Sequence, residues 1–260
     1  MTPWYLVDGE PPGTPAHNMA VDEALFQFCH RTQASFLRLY AWDRPSFSFG
    51  ASQRVERAID RHYIAANGGA WVRRITGGKT VLHHREVTYA VVSSADVFFR
   101  DHDLLESYLL ISQVLVKALR SLDLPAELST GSPAELSRSA NPCFSFPTRH
   151  EIEVGGRKMI GSAQKRDRQA LLQHGSIPLA MDYDLYAGGS RFPAERLKQS
   201  MVPLSELTSR GAADLRAALV AAFTGFAGTD LVPFSSQSLD PVEVAALEAK
   251  YESDHWNFLL

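Results

Sequence analysis

The chain reads as an α+β protein with a helical C-terminal tail, and three observations predict it. Strand-like apolar runs crowd the first two thirds of the sequence, one long helical pattern interrupts them, and beyond about residue 183 only helical periodicity remains. The 260 residues are 45% hydrophobic and 21% charged, which suits a single domain over 1–260. A chain of this size buries roughly 70–75% of its unfolded surface, so its core stands without a metal or disulfide staple.

Residues 4–7 are short, apolar and β-prone, and a Gly/Pro-rich loop over 9–15 follows, predicting an opening strand. From Asn18 a helical pattern takes over, with Val21, Leu25 and Phe28 about one turn apart. Asp22 and Glu23 are expected in its first turn, where negative charge suits the helix dipole. Residues 35–42 and 46–49 alternate as strands around the Asp-Arg-Pro turn at 43–45. Strands are also predicted over 71–75, 81–82 and 86–93, the first two around a Gly-Gly turn at 77–78.

The strongest helix runs over 104–122, with Leu104, Tyr108, Ile111, Leu115 and Leu119 on one face and a capping-box start at Asp103 and Glu106. Residues 125–142 are rich in Pro, Ser and Gly and read as loop or frayed edge. A hairpin follows, 151–154 and 158–163 around Gly155-Gly156, and 171–179 adds another strand. In the tail, Leu215, Leu219, Phe223 and Phe226 mark one helix. Asp240-Pro241 with Glu243 starts another that carries Val244, Leu247 and Tyr251.

Composition narrows the function. Lys plus Arg number 26 and Asp plus Glu 29, a formal net charge of −3, which argues against a dedicated nucleic-acid binder. The opening MTPWYLVDGE lacks a basic segment followed by an apolar run, and no stretch approaches the ~18 apolar residues of a membrane span. A cytoplasmic protein with no membrane partner is expected. Two cysteines build no disulfide framework, and His83, His84, His150 and His174 lack metal-ligand spacing, so no metal is expected.

Three segments are candidates for chemistry. In Arg73-Arg74-Ile75-Thr76-Gly77-Gly78-Lys79-Thr80 the paired glycines permit close backbone approach to a ligand, and the flanking cations suit an anion; a hairpin turn with solvated cations is the plainer alternative. In Gly156-Arg157-Lys158-Met159-Ile160-Gly161-Ser162-Ala163-Gln164, simple alternation sends Lys158, Ile160 and Ser162 to one face, which is either a pocket or water. Asn141-Pro142-Cys143-Phe144-Ser145-Phe146-Pro147 puts Cys143 after a Pro-terminated loop, whereas Cys29 joins the apolar stripe of a helix and reads as packing. Cys143 is packing or a nucleophile, and a nucleophile needs a cation to lower a thiol pKa of about 8.5. Lys158, one hairpin away, is the available one.

Taken in order, Asn18-Met19-Ala20-Val21-Asp22-Glu23, the Arg73 to Lys79 segment through His83, the Gly156 to Gln164 segment and Gln173-His174-Gly175-Ser176-Ile177-Pro178-Leu179 resemble the lipoate–protein ligase and octanoyltransferase family, related to the biotin–protein ligases. The matching stretches cover a core of about 16–180, and the helical tail over about 183–260 carries no matching motif. The resemblance implies a mixed, largely antiparallel sheet backed by helices, with an acyl chain in a slot between the Arg-Gly-Gly hairpin and the lysine strand. It places the family lysine at Lys158. Substrate-binding positions fall on Arg74, Thr76, Gly77, Gly78, Lys79, His83, Gly161, Ser162, Ala163, His174 and Gly175, with Val81, Tyr89 and Ile160 as expected walls.

The run Cys143-Phe144-Ser145-Phe146-Pro147 with Glu151 resembles the transferase branch, which carries a nucleophilic cysteine. That branch moves octanoyl from the thioester of acyl carrier protein to a lysine of a lipoyl domain or glycine-cleavage H-type protein and needs no cofactor; the ligase alternative activates lipoate with ATP and Mg. The chain departs from the family pattern at Lys79, where ligases have a third glycine, and at His84, where Asp is usual. Arg54, Arg57, Arg61, Arg73, Arg74, Lys79 and Arg85, with Lys165, Arg166 and Arg168, either steer acidic carrier proteins or form an ordinary solvated surface.

Overall fold

The computed structural model describes residues 3–94, 99, 101–129 and 151–259. Its framework is an eight-stranded mixed sheet in the order β11-β1-β2-β6-β10-β9-β8-β7. These strands are β1 (Trp4–Val7), β2 (Ser35–Tyr40), β6 (Glu86–Ser94), β7 (Ala126–Leu128), β8 (Ile152–Val154), β9 (Arg157–Arg166), β10 (Ala170–Pro178) and β11 (Val232–Pro233). Pairing is parallel for β11, β1 and β2 and antiparallel from β2 onward. The expected mixed, largely antiparallel sheet is therefore present.

Both faces of the central strands are apolar, so both are covered. Leu37, Leu39, Val87, Tyr89, Val91, Leu171 and Ile177 face a core built with α4 (Leu104–Arg120) and α7 (Ala212–Ala227). The alternate residues Phe36, Ala90, Val92, Ala170 and Leu172 pack against α1 (Pro15–Thr32) and α8 (Pro241–Glu252). A second sheet, β4-β3-β5, consists of β3 (Ser46–Phe49), β4 (Ala70–Arg73) and β5 (Val81–His83). It shares a third core with α2 (Val55–Ala58), α3 (Arg61–Ala66), α5 (Tyr183–Ser190) and α6 (Ala194–Ser200).

The capping box at Asp103 and Glu106 starts α4 as expected. Helix α1 begins earlier than its apolar period suggests, at Pro15, with the Thr14 side chain accepting from the His17 N–H. Asp22 therefore lies well past the first turn and is buried, and its charge answers to tertiary partners rather than to the dipole. Two short edge strands complete the sheet: β7 lies in the stretch read as loop or frayed edge, and β11 runs against expectation in the tail, where only helices are expected. Each is fixed by a neighbouring strand rather than by its own pattern.

The tail is strapped to the body. Along α8, Glu243 pairs with Arg31, Lys250 with Glu23 and Glu248 with His17, all three on α1. Helix α9 (Asp254–Asn257) then anchors β4: Asn257 Oδ1 accepts the Arg73 N–H at 2.8 Å, and the Trp256 indole donates to the Arg73 carbonyl at 2.8 Å. The Arg73 guanidinium is buried over Phe49 and donates to the carbonyls of Ala51, Gln53, Trp256 and Asn257. Burial pulls its pKa below the usual arginine value.

Candidate active site

Strands β4 and β5 flank β3 and do not pair with each other, so residues 74–80 form a crossover over the end of β3 and not the expected Gly-Gly hairpin. The crossing is close. A Cβ on Gly50 would lie 2.1 Å from the Gly78 carbonyl oxygen, so only glycine fits there. The loop is held by Ala51 N–H to the Thr76 carbonyl at 2.9 Å and Arg74 N–H to the Phe49 carbonyl at 3.1 Å.

Arg74 folds into this loop. Its Nε donates to Thr76 Oγ1 at 3.1 Å, Nη1 to Ser48 Oγ at 3.1 Å, and Nη2 to the carbonyls of Gly77 and Lys79 at 2.8 Å each. The guanidinium that the sequence offers to an anion thus organises its own loop. Lys79 takes part through its carbonyl, and its half-buried side chain does not line the slot described next.

On the α1 side of the large sheet, strand alternation changes character. Phe36, Ala90, Val92 and Leu172 are apolar, but the continuation along the same face is Arg38, Tyr40, Thr88, Glu86, His174 and Ser176, all buried. Of this polar end, Tyr40, Thr88, His174 and Ser176 form the floor of a slot with about 330 Å³ of empty volume, its open mouth included, while Arg38 and Glu86 do not line it. Met19 of α1, Trp42, Val81 and the β9 segment Gly161-Ser162-Ala163 join the lining, with Ser48, Arg74 and His83 from the loop side. Gly78 faces Ala163, so the loop and the lysine strand close on each other.

Two hydrogen-bond chains run from Arg74 into this floor. Through Thr76, whose hydroxyl meets His174 Nε2 at 2.7 Å, one reaches Asp22 Oδ2, 2.8 Å from His174 Nδ1. The other passes through Ser48 Oγ, 2.7 Å from His83 Nε2, to Glu86 Oε1, 2.8 Å from His83 Nδ1. Each Nδ1 faces a carboxylate oxygen, which accepts, so each imidazole donates through Nδ1. Burial holds the His174 pKa below the ordinary histidine value, outweighing Asp22. Burial opposes ionisation of Asp22 too, but the Arg38 guanidinium, with Nη1 2.6 Å from Oδ1, and His174 hold its pKa below the usual aspartate value.

Asp22, Arg38, Ser48, Glu86, Trp42 and Tyr40 were not singled out as site residues by sequence. A usable signal existed for two of them: Arg38 interrupts the otherwise apolar strand SFLRLY, and Glu86 opens the apolar run EVTYAVV. Of the expected walls, Val81 lines the slot, whereas Tyr89 and Ile160 lie on the opposite face, in the core under α4 and α7. Tyr89 contributes from behind. Its hydroxyl reaches Ser162 Oγ at 2.7 Å by passing Gly175, where a Cβ would lie 2.6 Å from the Tyr89 ring.

Lys158 is fully buried and paired with Glu151. Simple alternation would put it with Ile160 and Ser162, but β9 has an irregular register opposite Ile152/Glu153, so Ile152 faces Ile160 while Glu153 faces Lys158. The bulge at Met159 turns Lys158 to the face of Gly161 and Ala163, the slot face. It lies farther along the strand than Gly161 and is not among the residues that line the slot. The Val202 N–H bonds to the Lys158 carbonyl at 3.0 Å and fixes this turn of strand.

Cys143 and His150 lie outside the described residues. The described flanks of that segment meet beside Lys158, where the Ser129 N–H donates to the Glu151 carbonyl at 2.7 Å. Cys29 is buried in the α1 core, as its place in the helical stripe predicts, and burial pushes its thiol up to about 12. His84 sits off the slot, half-buried, with Nδ1 unpartnered. Of the expected basic cluster, Arg73 and Arg74 are buried and add nothing to the surface; Arg54, Arg57, Arg85 and Arg168 are exposed.

The mixed sheet and the Gly-Gly loop closing over the lysine strand are the arrangement that the resemblance implied, and residues 14–224 match the lipoyl protein ligase A/B catalytic domain. The chain belongs to that family. It is 38% identical over 261 residues to octanoyltransferase LipM of Kyrpidia tusciae, covering 95% of each chain. In structure it is similar to lipoate–protein ligase A bound with ATP, with a TM-score of 0.83, 24% identity and full coverage of both chains. It is likewise similar to the bipartite lipoate–protein ligase of Thermoplasma acidophilum, described with its E2 lipoyl domain, with a TM-score of 0.79, 22% identity and coverage of 100% of this chain and 98% of that one. Among the described residues, no helix is long and apolar enough to cross a membrane.

Proposed function

We propose that this chain is an octanoyltransferase of protein lipoylation that moves an octanoyl group from the thioester of acyl carrier protein to a lysine of a lipoyl domain, through an acyl-enzyme on Cys143. The observation that carries the reading is the slot, lined by the strand that also carries the buried Lys158, in a chain related over nearly its full length to octanoyltransferases. Six methylenes buried at ~0.8 kcal/mol each contribute roughly 5 kcal/mol of binding. Elimination supports Cys143: the chain has two cysteines, and Cys29 is walled into a core.

In the first half-reaction the Cys143 thiolate attacks the octanoyl carbonyl and the carrier thiol leaves. In the second, the neutral amine of the acceptor lysine attacks the enzyme thioester, the Cys143 sulfur leaves, and the amide forms. Exchange between thioesters is nearly neutral and amide formation from a thioester is downhill, so no ATP enters. Lys158, paired with Glu151, supplies the cation that favours the thiolate and the site through which the nucleophile's proton leaves. The backbone N–H groups around Gly161 and Ser162 are the proposed donors to the oxyanion.

Intact-mass analysis after mixing with octanoyl-carrier protein is expected to show an octanoyl adduct on Cys143 that hydroxylamine removes. A Cys143→Ser chain that still transfers octanoate at the full rate rejects the acyl-enzyme.

A further inference from the structure

The slot poses a chemical problem. An alkyl chain has no hydrogen-bonding groups, yet the lining includes Tyr40, Ser48, Arg74, His83, Thr88, His174 and Ser176. Unmet donors there would hold water and oppose an apolar ligand. The hydrogen bonds show where the donors go instead. Glu86 accepts His83 Nδ1–H at 2.8 Å and the hydroxyls of Thr88 and Ser176. Asp22 does the same for Arg38, Tyr40 and His174. The Trp42 indole donates to Thr88 Oγ1 at 2.8 Å while its ring stacks on His83, with centroids 4.1 Å apart at 14°. Each of these hydroxyl, imidazole and indole hydrogens is aimed at a protein acceptor, so the walls offer the chain carbon surfaces and oxygen lone pairs, with the hydrogens turned away.

We propose that Glu86 is a positioning residue for acyl specificity: by drawing the hydrogens of His83, Thr88 and Ser176 to itself, it leaves the slot without donors toward its ligand, so that a saturated chain is accepted and a chain bearing a carbonyl, which only accepts, near its far end is disfavoured. Glu86 itself lies behind these residues and does not line the slot. The inference rests on the acyl-transfer reading for the nature of the ligand, but binding alone tests it.

The probes are pantetheine derivatives with an amide in place of the thioester, which bind without transferring, carrying either octanoyl or 7-oxooctanoyl. Calorimetric titration of the full chain is expected to favour octanoyl by about 10- to 100-fold, because the added carbonyl is buried without a donor. Glu86→Gln presents an NH2 where three donors converge. One of them must rotate toward the ligand, and the preference is expected to fall at least about tenfold, through weaker octanoyl binding and retained oxooctanoyl binding.

The double change Glu86→Gln with Ser176→Ala removes one displaced hydroxyl and is expected to restore most of the preference, which a merely structural role would not do. Equal loss for both ligands in Glu86→Gln, or failure of the double change to recover any preference, overturns the proposal; so does a natural chain with no preference at all. If Glu86→Gln does not fold, Ser176→Ala alone carries the test and must not lower the octanoyl preference. Failure of the natural chain to acylate Cys143 from the thioester, with the binding preference intact, rejects the transfer reading and leaves this one standing.

Discussion

Replacing Asp22 by Asn removes one charge from a site that is shielded from water on every side. Asp22 and Arg38 have side-chain exposures of 1% and 2%, and their ion pair is bracketed by His174 and Tyr40 on the acidic side and by Asn18 on the basic side. Losing one partner of a buried pair costs about 3–5 kcal/mol because the other charge stays buried. Arg38 keeps the Asn18 carbonyl and amide oxygens, so the lower end, about 3 kcal/mol, is expected. For a domain this large that lowers Tm by roughly 6–12 °C, measured by circular dichroism.

The pH dependence adds a second reading. Asp22 has a folded pKa below its ordinary 3.8, so its contribution is complete above that value and is lost as pH falls through the folded pKa. The gap in stability between the natural chain and Asp22→Asn should therefore be constant near neutrality and close below about pH 4. A Tm change under about 2 °C at pH 7, or a gap that persists undiminished at pH 2 in a chain that still folds, refutes the reasoning.

Other outcomes follow from the same contacts. His174 has a folded pKa below its ordinary 6.5, so the unfolded chain binds the extra proton first and stability should decline as pH drops below that value; urea titrations on the natural chain and His174→Gln should show a shallower decline in the variant. Iodoacetamide under native conditions should modify one thiol per chain, at Cys143, and modification of Cys29 would contradict its burial and raised pKa. Gly175→Ala puts a Cβ 2.6 Å from the Tyr89 ring and 2.8 Å from the Gly161 carbonyl, and should cost about 1–3 kcal/mol by thermal unfolding. Lys158→Ala should abolish transfer and lower Tm, since Glu151 keeps a buried charge; retained transfer would remove Lys158 from the chemistry.

What was legible in the sequence follows from the range of the forces involved. Helix α4 and the β8–β9 hairpin are encoded locally, by a capping box, an apolar period and a Gly-Gly turn, and they stand where the pattern puts them. The family segments likewise mark the loop, the lysine strand and His174 that enclose the slot. The crossover of residues 74–80 was not legible, because whether two strands pair or take a third between them depends on β3, more than twenty residues earlier. Nor was the orientation of Lys158, since one bulged residue reverses every later side chain and alternation alone does not register it. Asp22, Arg38 and Glu86 are ordinary charges in sequence, and only the sheet register shows that they lie out of water and face one another.

The contacts of Arg73 with Trp256 and Asn257 have a consequence for the order of folding. They join residues separated by 183 and 184 positions, and closing so long a loop is entropically among the last steps a chain takes. Apart from its edge strand β11, the large sheet closes shorter loops than this and can assemble first, whereas β4 and the loop that leaves it wait for a partner made near the end of the chain. The slot is thus a late product of folding. A chain cut before residue 256 should keep most of its secondary structure while the strand that launches Arg74 loses its anchor, and acyl binding should be lost well before the sheet melts.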